Sequence, residues 1–215
     1  MEDLLGDQTI SIDETDREEA SRPQAVGAAR GTLFLVVGPS GAGKDSLLLA
    51  AKEALGRSKD YTFPQRRITR PQGAGGEDHL AIDDEAFDRL ADTGAFALHW
   101  QAHGLSYGVP IDIEDDLAAG RHVVVNVSRS VLDLARERLS PVRVLSITVS
   151  RDVLRARLLA RGRESAADME ERVARADAFT VAGDDVIDLR NDADLASAEA
   201  AFVEALTTRV VQAKA

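Results

Sequence analysis

The stretch "TLFLVVGPSGAGKDSLLLA" (residues 32 to 50) decides the fold of this 215-residue chain. Residues 33 to 37 form a continuous apolar run, typical of a strand buried on both faces, and the residues after the glycines predict a helix. Between them, Gly38, Gly43 and Lys44 meet the spacing G-x-x-x-x-G-K. Glycines at these positions let backbone N–H groups turn inward around phosphate oxygens, and the helix N-terminus adds partial positive charge. The stretch therefore predicts a loop that binds nucleotide phosphates, formed by Gly38, Pro39, Ser40, Gly41, Ala42, Gly43, Lys44, Asp45 and Ser46.

Asp45 departs from the usual pattern, in which a Ser or Thr after the lysine holds magnesium through its hydroxyl. A bare carboxylate there would repel a triphosphate by on the order of 4 kcal/mol for unit charges about 4 Å apart at an effective dielectric of about 20. We therefore expect Mg²⁺ between the two, bound by Asp45 directly or through water, with Ser46 as the alternative ligand. The competing interpretation is an acidic residue that stabilises the first turn of the helix.

The composition excludes several classes of protein. The chain has no cysteine, so disulfides, thiolate zinc sites and cysteine nucleophiles are absent. With a net charge of −11 and no cluster of Lys and Arg, nucleic acids and membranes are unexpected partners. The N-terminus lacks the pattern of a secretory signal, and no apolar run is long enough for a membrane helix. We expect a cytoplasmic protein that acts on small anionic ligands, and the sequence is compatible with a homodimer.

The order of the patterns along the chain predicts one α/β domain after an acidic tail. Residues 1 to 30 contain eight acidic residues and three arginines, a composition that favours disorder. From residue 31, apolar runs alternate with helical patterns, which predicts a parallel sheet flanked by helices. Residues 61 to 116 differ in character, being rich in Gly, His and aromatic residues towards their end, and we interpret them as an inserted substrate-binding lobe.

The segments "VVGPSGAGK", "ITRP", "SYGV", "RLLARG", "ERVARA" and "RNDADL" resemble, in this order, the guanylate kinase-like nucleoside monophosphate kinases. The resemblance covers residues 31 to 205. It implies a P-loop NTPase fold over residues 31 to 213, with a core (31 to 60 and 117 to 213), an acceptor-binding lobe (about 61 to 116) and an Arg-bearing lid (about 158 to 176). By motif, the resemblance implies that Lys44 binds the phosphates of ATP and that Asn191 contacts adenine. It implies that Arg70 and Tyr107 bind the acceptor phosphate. It also implies that Arg161 and Arg172 contact the transferring phosphoryl group.

Several positions depart from that family. Its second acceptor-phosphate arginine is Gly73 here, its guanine-reading Glu is Leu98, and the Ser or Thr that also contacts guanine is Val109. Its "D-x-D" segment becomes "NVS", with Asn126 and Ser128. Burying a purine edge against Leu and Val would leave polar groups unsatisfied at roughly 1 to 3 kcal/mol each. We therefore expect an acceptor other than guanosine monophosphate (GMP).

The chain is more closely similar to the ribose 1,5-bisphosphate phosphokinases of phosphonate utilisation. This resemblance rests on "GPSGAGKDS", "RRITR", "GGEDHLAI", "HWQAHGLSYGV", "VVNVSR" and "RLLARGRE". It implies transfer of a phosphoryl group from ATP, with Mg²⁺, to the 1-phosphate of ribose 1,5-bisphosphate. The product would be 5-phosphoribosyl 1-diphosphate. A guanylate kinase is the first alternative, and a non-catalytic guanylate kinase-like module that binds peptides is the second.

A sugar with two phosphates needs cationic donors at two separated points. We predict these substrate-binding residues: Arg67, Arg70, His79, His103, Tyr107, Asn126 and Arg129. Arg66 and His99 are further candidates, although each histidine could equally be structural. Since Arg66 and Arg67 share one strand, at least one of them is expected on a solvated face. Arg157 and Arg161 are four residues apart on one helical face, where a lid could aim both at a phosphate.

Overall fold

The computed structural model describes residues 29–73, 78–161, 166–177, 180–192 and 194–208. The predicted acidic tail lies outside these ranges except for its last two residues. The strands are β1 (Leu33–Val37), β2 (Tyr61–Thr62), β3 (Arg67–Ile68), β4 (Leu80–Ala81), β5 (Phe96–Ala102), β6 (Leu105–Pro110), β7 (His122–Asn126), β8 (Val142–Thr148) and β9 (Val186–Arg190). The helices are α1 (Lys44–Leu55), α2 (Asp84–Asp92), α3 (Ile113–Ala118), α4 (Leu132–Arg138), α5 (Arg151–Arg161), α6 (Ala166–Asp177) and α7 (Leu195–Thr207), and a 3-10 turn, Arg129–Val131, precedes α4.

Five parallel strands form the main sheet in the order β2-β7-β1-β8-β9. The predicted α/β class with a parallel sheet is thereby confirmed. The central strand β1 is buried throughout, with Phe34 2% exposed and its other residues fully covered. Phe34 and Val36 pack with α1 and α7 on one face, whereas Leu33, Leu35 and Val37 face the second core cluster. None of the described helices is both long and apolar enough to cross a membrane.

A second sheet, with the order β4-β3-β6-β5, forms the inserted lobe. Its longest part is the antiparallel hairpin of β5 and β6, closed by the two residues His103 and Gly104 with φ values of 52° and 70°. Positive φ at both positions is the requirement of a type I′ turn, whose twist matches that of the flanking strands. The strand β2, at the start of the segment interpreted as the lobe, pairs with β7 in the main sheet, and β3 is the first strand of the second sheet.

The two sheets share one hydrophobic core. Ile68, Leu98 and Val109 of the lobe belong to the same buried cluster as Leu35 of β1 and Val125 of β7. The lobe is therefore packed directly onto the strands that end at the phosphate loop.

His122, the first residue of β7, is held neutral by its surroundings. The backbone N–H of Thr32 donates to its Nδ1 over 2.9 Å, and its ring lies against Phe34 and Tyr61 with centroids 5.8 and 5.2 Å apart. Burial lowers the pKa of His122, and the nearby Asp60 opposes this effect. A protonated Nδ1 could not accept the Thr32 hydrogen bond.

We predict that His122→Asn flattens the pH dependence of the free energy of unfolding. Because the folded pKa is lowered, the unfolded chain binds the proton first as pH falls, so stability is lost from about pH 6.5 downwards to the folded pKa. Asparagine keeps an acceptor and removes the titration. Urea unfolding between about pH 7.5 and 5.5 measures the slope. Gln101→Asn, at an exposed position of β5 that carries no titratable group, is the control and should keep the wild-type slope. An unchanged slope in His122→Asn would contradict the assignment.

Candidate active site

The phosphate loop lines a cavity of about 660 Å³ between the main sheet and the lobe. Its walls are Gly38, Pro39, Ser40, Gly41, Gly43, Lys44, Asp45 and Ser46 from the loop, Arg66, Arg70, Trp100, Ala102, His103, Leu105 and Tyr107 from the lobe, and Asn126, Val127, Ser128 and Arg129 after β7. The parallel strands β1 and β7 are neighbours, so the segments that follow them meet at the same edge of the sheet. Ligands of open α/β sheets bind at this edge.

Lys44 and the start of α1 make the loop end of the cavity electropositive. The Lys44 Nζ donates to the carbonyls of Gly38 and Pro39 over 2.7 and 2.9 Å, which keeps the ammonium group at the loop. The N-cap residue Gly43 has no side chain to cap the first helical N–H groups. Such a helix start is suited to bind phosphate oxygens.

Asn191 stabilises the phosphate loop through a side-chain hydrogen bond. Its side chain is buried, and its Nδ2 donates to the carbonyl of Ala42 over 2.7 Å. Gly43 has φ 88°, and a Cβ there would lie 2.6 Å from the same Nδ2, so the contact requires glycine. Nη2 of Arg157 in turn donates to the Asn191 carbonyl over 2.9 Å. Helix α5 is thus connected to the phosphate loop through one asparagine.

These contacts differ from the sequence expectations for the same two residues. Asn191 is predicted to contact adenine, but it is not part of the cavity wall, and its amide is used by the loop. The adenine contact stays a prediction. Arg157 is expected to point at a phosphate with Arg161, but it contacts Asn191, and its Nη1 is buried without a hydrogen-bond partner among the described residues.

Two stacked aromatic rings form the lobe side of the cavity. Trp100 and Tyr107 are directly opposite on β5 and β6, and their rings are 5.3 Å apart and inclined by 2°. The Tyr107 hydroxyl accepts a long hydrogen bond of 3.5 Å from Nη2 of Arg70. The Arg66 guanidinium carbon lies 5.4 Å from the Trp100 centroid and 5.3 Å from that of Tyr107. Two arginines therefore contact the same tyrosine, one at its hydroxyl and one at its ring.

The predicted substrate-binding residues divide into two groups. Those that line the cavity are Arg70, His103, Tyr107, Asn126 and Arg129. Arg67 and His79 do not line it. Neighbouring residues of an extended segment point to opposite faces, and here Arg66 takes the cavity side in place of Arg67. The buried His79 instead donates through Nε2 to the Arg70 carbonyl over 3.2 Å, so it supports the segment that carries Arg70.

The side chains of two predicted lid residues, Arg161 and Arg172, lie outside the described part of the structure. Sequence reasoning also missed Trp100. The signal available for it was the His-Gly dipeptide between two alternating stretches, which predicts a tight hairpin and sets Trp100 opposite Tyr107.

Leu98 and Val109, the positions where guanylate kinases are expected to read the base, pack into the core. They are opposite each other on β5 and β6 and are 1% and 0% exposed. Neither lines the cavity. Apolar side chains at these positions offer no hydrogen bond to a purine edge.

Asp45 and Ser46 together fit a magnesium ion that arrives with a nucleotide. Both line the cavity next to Lys44, and they offer one carboxylate and one hydroxyl. The described residues contain no group of three acidic or histidine side chains that would hold a metal alone. Mg²⁺ usually keeps water and phosphate oxygens among its ligands, so a site with few protein ligands suits it.

The phosphate loop and two arginines of the lobe line a single cavity, which is the arrangement of a P-loop kinase. The guanylate kinase family matches residues 30–199. The crystal structure of guanylate kinase from Anaplasma phagocytophilum superimposes with a TM-score of 0.61 at 20% identity, over 87% of this chain and 90% of that one, which shows the shared fold.

Two curated relatives are more similar in sequence. Ribose 1,5-bisphosphate phosphokinase PhnN of Rhizobium etli (strain CIAT 652) is 45% identical over 182 residues, 84% of this chain and 91% of the relative. The protein of the same name from Acidiphilium cryptum (strain JF-5) is 49% identical over 173 residues, 80% of this chain and 91% of the relative. The chain belongs to the guanylate kinase family, in the branch of the ribose 1,5-bisphosphate phosphokinases.

We predict that Asn191→Asp weakens binding of ATP and of inorganic tripolyphosphate by the same factor, about tenfold or more. The new carboxylate would face the Ala42 carbonyl and disturb the loop, whatever base the ligand carries. Calorimetry with both ligands in the presence of Mg²⁺ measures this factor. Gln101→Glu, the same chemical change on the exposed side of β5, is the control. A loss confined to ATP would instead support a direct contact with adenine.

Proposed function

We propose that the chain transfers the γ-phosphoryl group of ATP to the 1-phosphate of ribose 1,5-bisphosphate. An oxygen of the acceptor phosphate forms a bond to the γ-phosphorus, and the bond from that phosphorus to the bridging oxygen of ADP breaks. The products are 5-phosphoribosyl 1-diphosphate and ADP. The observation that carries the proposal is the shared cavity, in which the phosphate loop faces Arg70 and Tyr107 while Leu98 and Val109 are buried away from it.

The comparisons support the same acceptor. The PhnN relatives cover most of the chain at 45% and 49% identity and are named for ribose 1,5-bisphosphate. The guanylate kinase neighbour shares only 20% of its residues with this chain. A guanylate kinase would need polar partners for the base, and Leu98 and Val109 supply none.

The chemistry needs positioning and charge neutralisation more than it needs a base. An acceptor phosphate oxygen is already anionic at neutral pH, so no side chain has to remove a proton. Lys44 neutralises charge on the donor phosphates, and Arg70 with Tyr107 holds the acceptor phosphate in line with them. Arg129 lines the same cavity and adds positive charge on the β7 side. In this proposal, Arg161 and Arg172 neutralise the phosphoryl group during transfer.

Mg²⁺ bound with ATP would neutralise part of the triphosphate charge. Asp45 and Ser46 are the residues that would hold it. The proposal includes the expected small-molecule partners, a cytoplasmic location and no role for nucleic acid or membrane.

An assay with two acceptors tests the function. With Mg-ATP and ribose 1,5-bisphosphate, we expect 5-phosphoribosyl 1-diphosphate, and with GMP a rate at least about a hundredfold lower, because two or more base groups would be unsatisfied. Lys44→Ala should lower kcat by about 100-fold or more and serves as the blank. Comparable formation of GDP would identify a guanylate kinase. No product from either acceptor would favour the peptide-binding module.

We also predict that Asp45→Ala raises the Mg²⁺ concentration needed for the half-maximal rate, because one oxygen ligand is lost. Rates are measured over a Mg²⁺ titration at fixed ATP. Glu53→Ala removes an exposed carboxylate from the same helix and should leave the titration unchanged. If the Asp45→Ala and wild-type titrations coincide, Asp45 is not a ligand and stabilises only the helix start.

A further inference from the structure

Arg66 lies where the phosphate cavity meets a second cavity. This second cavity has a volume of about 350 Å³ and lies between α1, β7 and the segment that leads into β3. Asp45, Ser46, Arg66 and Asn126 line both cavities, whereas Arg70, Tyr107 and Arg129 line only the first. Arg66 therefore lies at the junction of the two cavities, whereas Arg70, the arginine proposed to hold the acceptor phosphate, lines only the first.

The position of Arg66 is fixed by its surroundings. The residue is 8% exposed, and its backbone carbonyl accepts a hydrogen bond of 2.9 Å from Leu80 at the start of β4. Its guanidinium group lies on the stacked rings of Trp100 and Tyr107. A guanidinium group on an aromatic face keeps its charge and loses little rotamer freedom when it binds an anion. Arg66 is thus a preorganised cation.

Tyr107 contacts both Arg66 and Arg70. Arg70 contacts the hydroxyl of this tyrosine, and Arg66 contacts its ring. The two guanidinium groups are therefore two separate cationic points on one wall of the cavity, which is what a ligand with two phosphates separated by a pentose requires.

We propose that Arg66 binds the 5-phosphate of ribose 1,5-bisphosphate and makes that phosphate a requirement for an efficient acceptor. The assignment rests on the proposed function. It gives the two arginines different roles, since Arg70 holds the phosphate that reacts and Arg66 holds the one that does not. Guanidinium groups bind phosphate through paired, charge-assisted hydrogen bonds, so loss of Arg66 should act mainly on the bisphosphate.

The other charged groups of the second cavity are consistent with this assignment. Lys52 adds a second cation to its wall. Asp78 accepts a hydrogen bond of 3.0 Å from Nε2 of Gln65, which keeps the carboxylate engaged with a neighbour. Asp45 is the carboxylate that both cavities share, and it is the proposed magnesium ligand.

The test compares two acceptors that differ only in the 5-phosphate. Rates with Mg-ATP are measured on ribose 1,5-bisphosphate and on ribose 1-phosphate, and the ratio of the two kcat/KM values reports the selectivity for the 5-phosphate. Arg66→Met keeps an unbranched chain over the rings and removes the charge. Arg66→Lys keeps the charge and loses the paired hydrogen bonds. Arg138→Met, at an exposed position of α4, is the matched control.

We expect Arg66→Met to lower the ratio by about 10- to 100-fold and Arg66→Lys to lower it by about tenfold. In Arg138→Met, the ratio, the rate on each acceptor and the KM for ATP should stay close to wild type. A purely structural role would change thermal unfolding and leave the ratio intact. If Arg66→Met does not fold, the Arg66→Lys ratio decides the question.

The two proposals can fail separately. A wild-type ratio in the folded Arg66 variants, with 5-phosphoribosyl 1-diphosphate still formed by the wild type, would overturn the role of Arg66 and keep the function. An equal fall of the kcat/KM ratio in Arg138→Met would also overturn the proposed role of Arg66. No product from the wild-type chain would overturn both.

Discussion

Burial of the central strand β1 on both faces is the constraint that positions everything else. Because β7 and β8 flank this strand, its end is fixed between theirs, and the chain must leave the sheet there. A Cβ on Gly38, the first residue after the strand, would lie 2.4 Å from the carbonyl oxygen of Ile147 in β8. Only glycine allows the loop to start this close to its neighbour. The Asn191 amide then fixes the loop at Ala42, so the phosphate-binding backbone is held at two points.

The sequence predicts the elements whose pattern is local. The strand β1 is a continuous apolar run, β7 and β8 are largely apolar, and α1, α5 and α7 follow from their periodicity and position. By contrast, β2, β3 and β4 contain two residues each and depend on partners that are distant in the chain. The lobe boundary near residue 61 stays a prediction, because a two-residue strand such as β2 gives no pattern that shows which sheet it joins.

The candidate site, too, is predicted from the sequence only in part. The loop residues and Arg70, Tyr107, Asn126 and Arg129 are found from the sequence, and the structure places all of them except the buried Ala42 in the wall of one cavity. Motifs do not give the direction of a side chain, and only the folded structure distinguishes Arg66, which lines the cavity, from Arg67, which does not. The hydrogen bond from Asn191 to the loop could not be predicted from the sequence either, because its partner Ala42 is 149 residues away in the chain.

The shared core of lobe and sheet limits how such an enzyme can change its acceptor. Leu98 and Val109 fill the interior together with residues of β1 and β7. A single exchange of Leu98 for glutamate would bury a carboxylate at a site that is 1% exposed, and an unpaired buried charge is severely destabilising. A gain of base recognition at this position would therefore need several coordinated substitutions. Divergence between base-reading and sugar-reading kinases on this scaffold is for that reason hard to reverse by single mutations.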